Sequence, residues 1–210
     1  FKLIILEEPE LEQAYYELAH CYDMVSDYAE SLLYLNKLID IDPYNVGAWY
    51  NLGVIYGKMN EHEKSIEALD YCLAIDEEYT IARFNKANAL VELDRFGDAV
   101  LEYLEVIRVE GGDSISYCNL AGCYERLGEI EEARSFYTKA AQMNPNLAES
   151  WFGIGITFQK ELKYKEALQH FKRAVLLEPE NAEFLLILAE CEYQLGFIKE
   201  AEEVYAKLVD

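Results

Sequence analysis

The sequence predicts an all-α solenoid of tandem 34-residue helix-turn-helix repeats, and three observations predict it. Apolar residues fall three and four apart in paired runs, the spacing of one helix face: Trp151, Ile154, Gly155 and Phe158 in one run, Ala167, Phe171 and Ala174 in the next. The paired pattern returns at a fixed interval. One period earlier stand Tyr117, Leu120, Ala121 and Tyr124, then Ala133, Tyr137, Ala140 and Pro145; two further periods back stand Trp49, Leu52, Gly53 and Tyr56. Finally, a short turn such as Glu161 to Tyr164 joins the two runs, and a proline such as Pro179 ends the second, because it disfavours helical geometry in the residue before it. Units of this kind bury their apolar face only by stacking on neighbours.

Residues 1–11 fit the frame as the second-helix remnant of a preceding repeat, with Phe1 and Ile4 on the packing columns and Pro9 at the helix end. A helix without its partner leaves an apolar stripe bare, so the chain reads as a fragment of a longer array. Residues 12–45 form the first full unit, with Tyr15, Leu18, Ala19 and Tyr22, then Leu35, Leu38 and Pro43, and Ser31 in place of alanine. Residues 46–79 keep all four first-helix residues but carry Glu77 where proline belongs. Thr80 or its neighbour is therefore expected to cap the next helix, across a less well defined joint.

Residues 80–113 depart most from the pattern, with Arg83 and Lys86 where Trp and Leu are expected. Their stems are expected to cover apolar surface while the charges reach water. Gly111-Gly112 replaces proline there and reads as a candidate hinge. Residues 114–147 and 148–181 are regular. The last unit, 182–210, is incomplete, with Leu185 for the first aromatic and Tyr193 one place beyond the usual second one. Gly128 and Gly196 fall between paired helices, where a left-handed residue ends the first helix.

These columns resemble the tetratricopeptide repeat, whose signature asks for Trp, Leu, Gly and Tyr on the first helix and Ala, an aromatic, Ala and Pro on the second, at this period. The resemblance covers nearly the whole chain. It implies a right-handed α-α superhelix whose first helices line a concave groove that holds a peptide or partner segment. The groove stripe would carry Tyr16, Glu17, His20 and Asp23, then Tyr50 and Asn51, then Phe84, Asn85 and Asn88, and further on Asn119, Arg126, Phe152 and Lys160. Asn51, Asn85 and Asn119 recur at one place in successive repeats, a ladder of amides able to pair with the main chain of an extended peptide, with Tyr50, Phe84 and Phe152 between its rungs. Glu17, His20 and Asp23, three apart, could converge on one cation; an acidic dock for Lys or Arg is the preferred reading. Chaperone-binding members of the family grip a C-terminal carboxylate with Lys, Arg and Asn. Tyr16, His20, Asn51, Ile81 and Asn85 stand at the matching places, without the basic members, so tight binding of such a tail is not expected.

A formal charge of −22 and a pI near 4.4 argue against nucleic acid and anionic membrane partners, both of which are bound through Lys and Arg. The first 79 residues hold 17 Asp and Glu against 4 Lys and Arg, which favours a partner with basic residues. No run of apolar residues is long enough to span a bilayer. The five cysteines include no C-x-x-C pair; Cys21, Cys123 and Cys191 share one repeat position and are expected to be buried thiols, which suits a reducing, cytoplasmic setting. His20, His62 and His170 fall in different repeats, and no Gly-rich loop joins a strand to a helix, so neither catalysis nor a cofactor is expected. The function that follows is a protein-interaction scaffold. The alternative is the substrate-recruiting arm of an enzyme, such as a glycosyltransferase, whose catalytic domain lies outside this chain.

Overall fold

A computed structural model describes residue 8 and residues 11–206; Phe1, Ile4 and Pro9, on which the reading of a preceding repeat rests, lie outside the described residues. Among the described residues there are twelve helices and no strand. They are α1 (Glu12–Met24), α2 (Tyr28–Ile41), α3 (Val46–Lys58), α4 (His62–Ile75), α5 (Thr80–Glu92), α6 (Phe96–Glu110), α7 (Ser114–Leu127), α8 (Ile130–Met143), α9 (Ala148–Lys160), α10 (Tyr164–Leu177), α11 (Ala182–Gln194) and α12 (Ile198–Ala206). The odd-numbered helices begin at the six residues where the repeat frame restarts. The chain divides into two compact units between Glu110 and Gly111, α1 to α6 in the first and α7 to α12 in the second, and each helix packs on the next within its unit. Gly111 and Gly112 both have left-handed backbone, with φ of 88° and 67°.

Each hairpin closes by setting a small residue of its first helix against a large one of its second. A Cβ built on Gly53 would come within 2.6 Å of Leu69, and one on Gly155 within 2.4 Å of the Phe171 ring. Leu69 and Phe171 are completely buried, so both helix pairs touch at backbone distance. Alanine serves at Ala19, Ala87, Ala121 and Ala189, all buried.

The turn inside every hairpin places one residue in the left-handed region. Gly128 and Gly196 do so as expected, with φ of 83° and 81°, and Ser26, Asn60, Asp94 and Leu162 adopt the same conformation, with φ between 55° and 61°. Between hairpins, Trp49 and Trp151 each donate an indole N–H to the carbonyl of a proline six residues back, Pro43 at 2.9 Å and Pro145 at 3.0 Å.

Four expectations need correction. The joint that lacks proline at Glu77 is as well defined as the others, because Asp76 accepts the Glu78 amide at 3.1 Å just as Asp42 accepts Tyr44 and Asn144 accepts Asn146. Of Thr80 and its neighbour it is the neighbour, Tyr79, that holds the N-cap position of α5, without a side-chain bond to the helix, and the buried Thr80 hydroxyl bonds the Glu110 carboxylate instead. Arg83 and Lys86 do not leave their charges to water alone but pair them with carboxylates of the chain. Arg83 bonds Glu102 at 3.1 Å and the Glu77 carbonyl, and Lys86 bonds Glu102 and Asp70 at 2.7 Å each, all on side chains of which only Asp70 is more than one-fifth exposed. Burial pulls the Lys86 ammonium down and its two carboxylates pull harder the other way, so its pKa stands above the usual lysine value.

Lastly, Cys123 and Cys191 are buried but Cys21 is exposed. Cys191 is covered by the neighbouring hairpin, donating to the Tyr164 carbonyl 27 residues upstream. The sixth repeat also differs in a way the pattern did not show: Glu192 fills the aromatic column, 2% exposed and held by Lys172 at 3.0 Å, while Tyr193 points outward.

Candidate functional site

The odd-numbered helices of each unit lie side by side, and polar bonds at a constant offset of 35 residues stitch each to the next. In the first unit the Asn51 amide donates to the Tyr16 hydroxyl at 3.2 Å and to the Gly47 carbonyl at 2.7 Å, and the Asn85 amide donates to Tyr50 at 3.1 Å. Lys58 grips both oxygens of Asp23, at 2.6 and 2.7 Å. In the second unit Lys160 bonds Glu125 at 3.0 Å in the same relation.

Two rungs of the expected amide ladder, Asn51 and Asn85, therefore already spend donors on the preceding repeat. Asn88 accepts from the Tyr103 hydroxyl. The aromatic residues between the rungs are half-buried: Tyr50 meets Tyr79 edge-on at 5.3 Å, Phe84 meets Tyr103 at 5.6 Å, and Phe152 stacks on Phe184 at 4.5 Å. Asp23 is neutralised within the chain. Glu17 accepts from Gln13 at 2.6 Å, and His20 is exposed beside it. Among the described residues no group of three His, Cys, Asp or Glu is arranged to hold a metal ion. In the second unit Asn119 is half-buried and Arg126 exposed, and Cys118 on the same face has its thiol pushed up to about 12 by burial and then by Glu149. A thiol held protonated in this way is a poor nucleophile.

Two cavities open on the first-helix face of the first unit. A small one, about 30 Å³, lies between α1 and α3 against Tyr16, His20, Asp23, Asn51 and Val54. A larger one, about 380 Å³, lies between α3 and α5, with Gly57 and Val54 on one wall, Asn85, Asn88 and Glu92 on the other, and Asn60 and His62 at the turn. The structure thus brings Tyr16, His20, Asp23 and Asn51 together in one place and Asn85 and Asn88 in another. Val54, Gly57, Asn60 and His62 were not read as site residues. The signal was available for one of them: the column that holds Asp23 and Glu125 holds a glycine at 57, which leaves an empty place where the preceding repeat has a carboxylate.

Such a face offers hydrogen-bond acceptors, a carboxylate and apolar walls, which suits reversible binding of a polypeptide. No described helix is long and apolar enough to cross a membrane. Sequence profiles described as tetratricopeptide repeat match residues 12–45, 46–79, 113–175 and 160–210. Hsp70-Hsp90 organizing protein 1 of Glycine max is 25% identical over 139 residues, 66% of this chain and 24% of that protein. A TPR repeat-containing protein of Methanocaldococcus jannaschii is 26% identical across 100% of this chain and 38% of its own length. The chain thus spans well under half of either relative.

Among solved structures, the type IV pilus biogenesis factor PilW superposes with a TM-score of 0.82 at 19% identity, covering 94% of this chain and 92% of its own. YrrB, described as a TPR protein with an unusual peptide-binding site, superposes at 0.77 and 19% identity over 88% of this chain and 95% of its own. With helical hairpins restarting at a 34-residue period, small-on-large packing inside each and matching profiles over four stretches, the chain belongs to the tetratricopeptide repeat family.

Proposed function

We propose that this chain is a protein-interaction scaffold, without catalytic activity of its own, whose first-helix face holds an extended segment of a protein partner. One observation carries the reading: two cavities share that face in the first unit and meet at Val54, which lines both. An extended segment crossing Val54 would enter each in turn. The acidic excess of the first repeats supports a partner with basic residues, and works against nucleic acid or an anionic membrane as the partner. The described basic groups of the Asp23–Lys58 region are already paired, which supports the expectation that a chaperone's C-terminal carboxylate is not gripped there. Free thiols, three of them buried at Cys72, Cys123 and Cys191, support a reducing compartment such as the cytoplasm.

The test is a selection of twelve-residue random peptides against the full chain, followed by affinity measurements with Val54→Arg. The bulky cation should block both cavities, and binding should weaken about tenfold or more, equivalent to about 1.4 kcal/mol, with an unchanged melting curve. Selected peptides that bind the variant as tightly as the parent would place the binding surface elsewhere.

A further inference from the structure

We propose that the cavity between α3 and α5 is a pocket for a single lysine or arginine side chain of the partner, with Glu92 as its counter-ion. The inference rests on the interaction reading above and names what that face recognises.

At the last turn of consecutive first helices one carboxylate in each unit meets a lysine 35 residues later: Asp23 with Lys58 in the first unit, Glu125 with Lys160 in the second. The same relation joins Gly57 to Glu92. Here the acidic partner has become a glycine and the basic partner a glutamate, so the ion pair is replaced by a void and a lone carboxylate. Among the described residues no hydrogen bond or ion pair is made by the exposed Glu92 side chain, whereas Lys58, Lys64, Arg83, Lys86, Arg95 and Arg108 of the same unit all bond carboxylates. None of these bonded cations lines the cavity.

The void has the right size and lining. Its volume of about 380 Å³ exceeds what a long basic side chain fills, so part of the adjoining main chain enters as well. Gly57, Val54 and Ala89 give an apolar passage for a methylene stem, and the amide side chains of Asn60, Asn85 and Asn88 line the same cavity as Glu92. A Cβ at Gly57 would find only the Ser65 hydroxyl, at 3.6 Å, so nothing in the packing of α3 demands glycine there. The missing side chain leaves room, and the missing cation leaves a charge for a ligand to satisfy.

The test is a chemical-shift titration of the full ¹⁵N-labelled chain with Nα-acetyl-lysine N-methylamide, and in parallel with the norleucine analogue, which has the stem without the charge. The lysine probe should move the amides of Gly57, Asn60, Asn88 and Glu92, and the norleucine probe should leave them in place. In Glu92→Gln the apparent affinity should fall about fivefold, the range of an exposed ion pair. The double variant Gly57→Asp with Glu92→Lys rebuilds the pair seen at Asp23 and Lys58; it should fold with an unchanged or higher melting temperature and lose the lysine response. Equal shifts in Glu92→Gln, or equal shifts from both probes, would overturn the pocket. Peptides from the Val54 experiment that bind equally well with lysine and arginine replaced by norleucine would overturn it too, while leaving the interaction face standing.

Discussion

Leu162 occupies the left-handed turn position with φ of 61°, where two of the other repeats use glycine, and its side chain is 72% exposed. A left-handed conformation costs an L-residue about 1–2 kcal/mol, and glycine's freedom in the unfolded chain returns up to about 1 kcal/mol of the gain. Leu162→Gly should therefore stabilise the chain by about 0.5–1 kcal/mol, read as a higher urea midpoint; a lower midpoint would show that the exposed leucine makes a contact worth more than its strain. His170 carries a second prediction. Its ring lies between Trp151, at 5.9 Å, and Phe158, at 5.5 Å, and burial, then the charge of Arg134, hold its pKa below 6.5. The unfolded chain takes up a proton near pH 6.5 that the folded chain resists, so this stability is present above that pH and lost as pH falls from there to the folded value. Replacing His170 with Phe should flatten the fall in melting temperature between neutral and mildly acidic pH. A parallel fall in both proteins would assign the effect to the carboxylates.

Within the helical hairpin, closeness depends on what a first-helix residue lacks. Gly155→Ala places a methyl group 2.4 Å from the ring of Phe171, which is completely buried and has nowhere to go. The substitution should cost about 1–3 kcal/mol by overpacking. Gly97→Ala, on α6 with nothing within 4 Å of the added atom, should instead be neutral or stabilising by about 0.5–1 kcal/mol. A thermal melt of both variants separates packing from helix propensity, and an undisturbed Gly155→Ala would mean that α9 and α10 slide apart freely. The columns that produce this packing were legible in the sequence because they recur on one helix face at one period, so Leu52, Leu120, Phe171 and their neighbours could be aligned without knowing the fold. Partners across helices were less legible. Glu102 answers both Arg83 and Lys86, but it sits on a different helix and in no recurring column, so nothing in the one-dimensional pattern tied the three together. Asn51, Asn85 and Asn119 are legible as a recurring set; that Asn51 and Asn85 are each held by a tyrosine of the preceding repeat depends on how far apart the first helices stack, which spacing along one helix does not encode.

Across the molecule, residues 1–110 hold 23 Asp and Glu against 8 Lys and Arg, and most of those cations are already committed to a carboxylate. The remaining negative charge repels itself, and screening relieves repulsion over longer distances than it weakens short ion pairs. Raising ionic strength from about 0.01 M to about 0.15 M, which shortens the Debye length from about 30 Å to about 8 Å, should raise the melting temperature. A lower melting temperature in salt would mean that the ion pairs, not the excess charge, dominate. The same charge distribution was readable from composition and Glu92 from its place on the groove stripe, whereas the cavity that joins Glu92 to Gly57 depends on how α3 and α5 stack.

The bonds between consecutive first helices also bear on how such a chain can change length. Asp23 meets Lys58, and Glu125 meets Lys160, at one offset and with interchangeable chemistry. Unequal recombination that duplicated the three blocks 46–147 in tandem would set residues 114–147 directly ahead of a second copy of residues 46–79, hand the Lys58 of that copy a glutamate in place of an aspartate, and leave the joint closed. A gene built on such couplings can be recut in register without redesigning its seams, and the seam at Gly57 and Glu92 would travel with whichever blocks carry it.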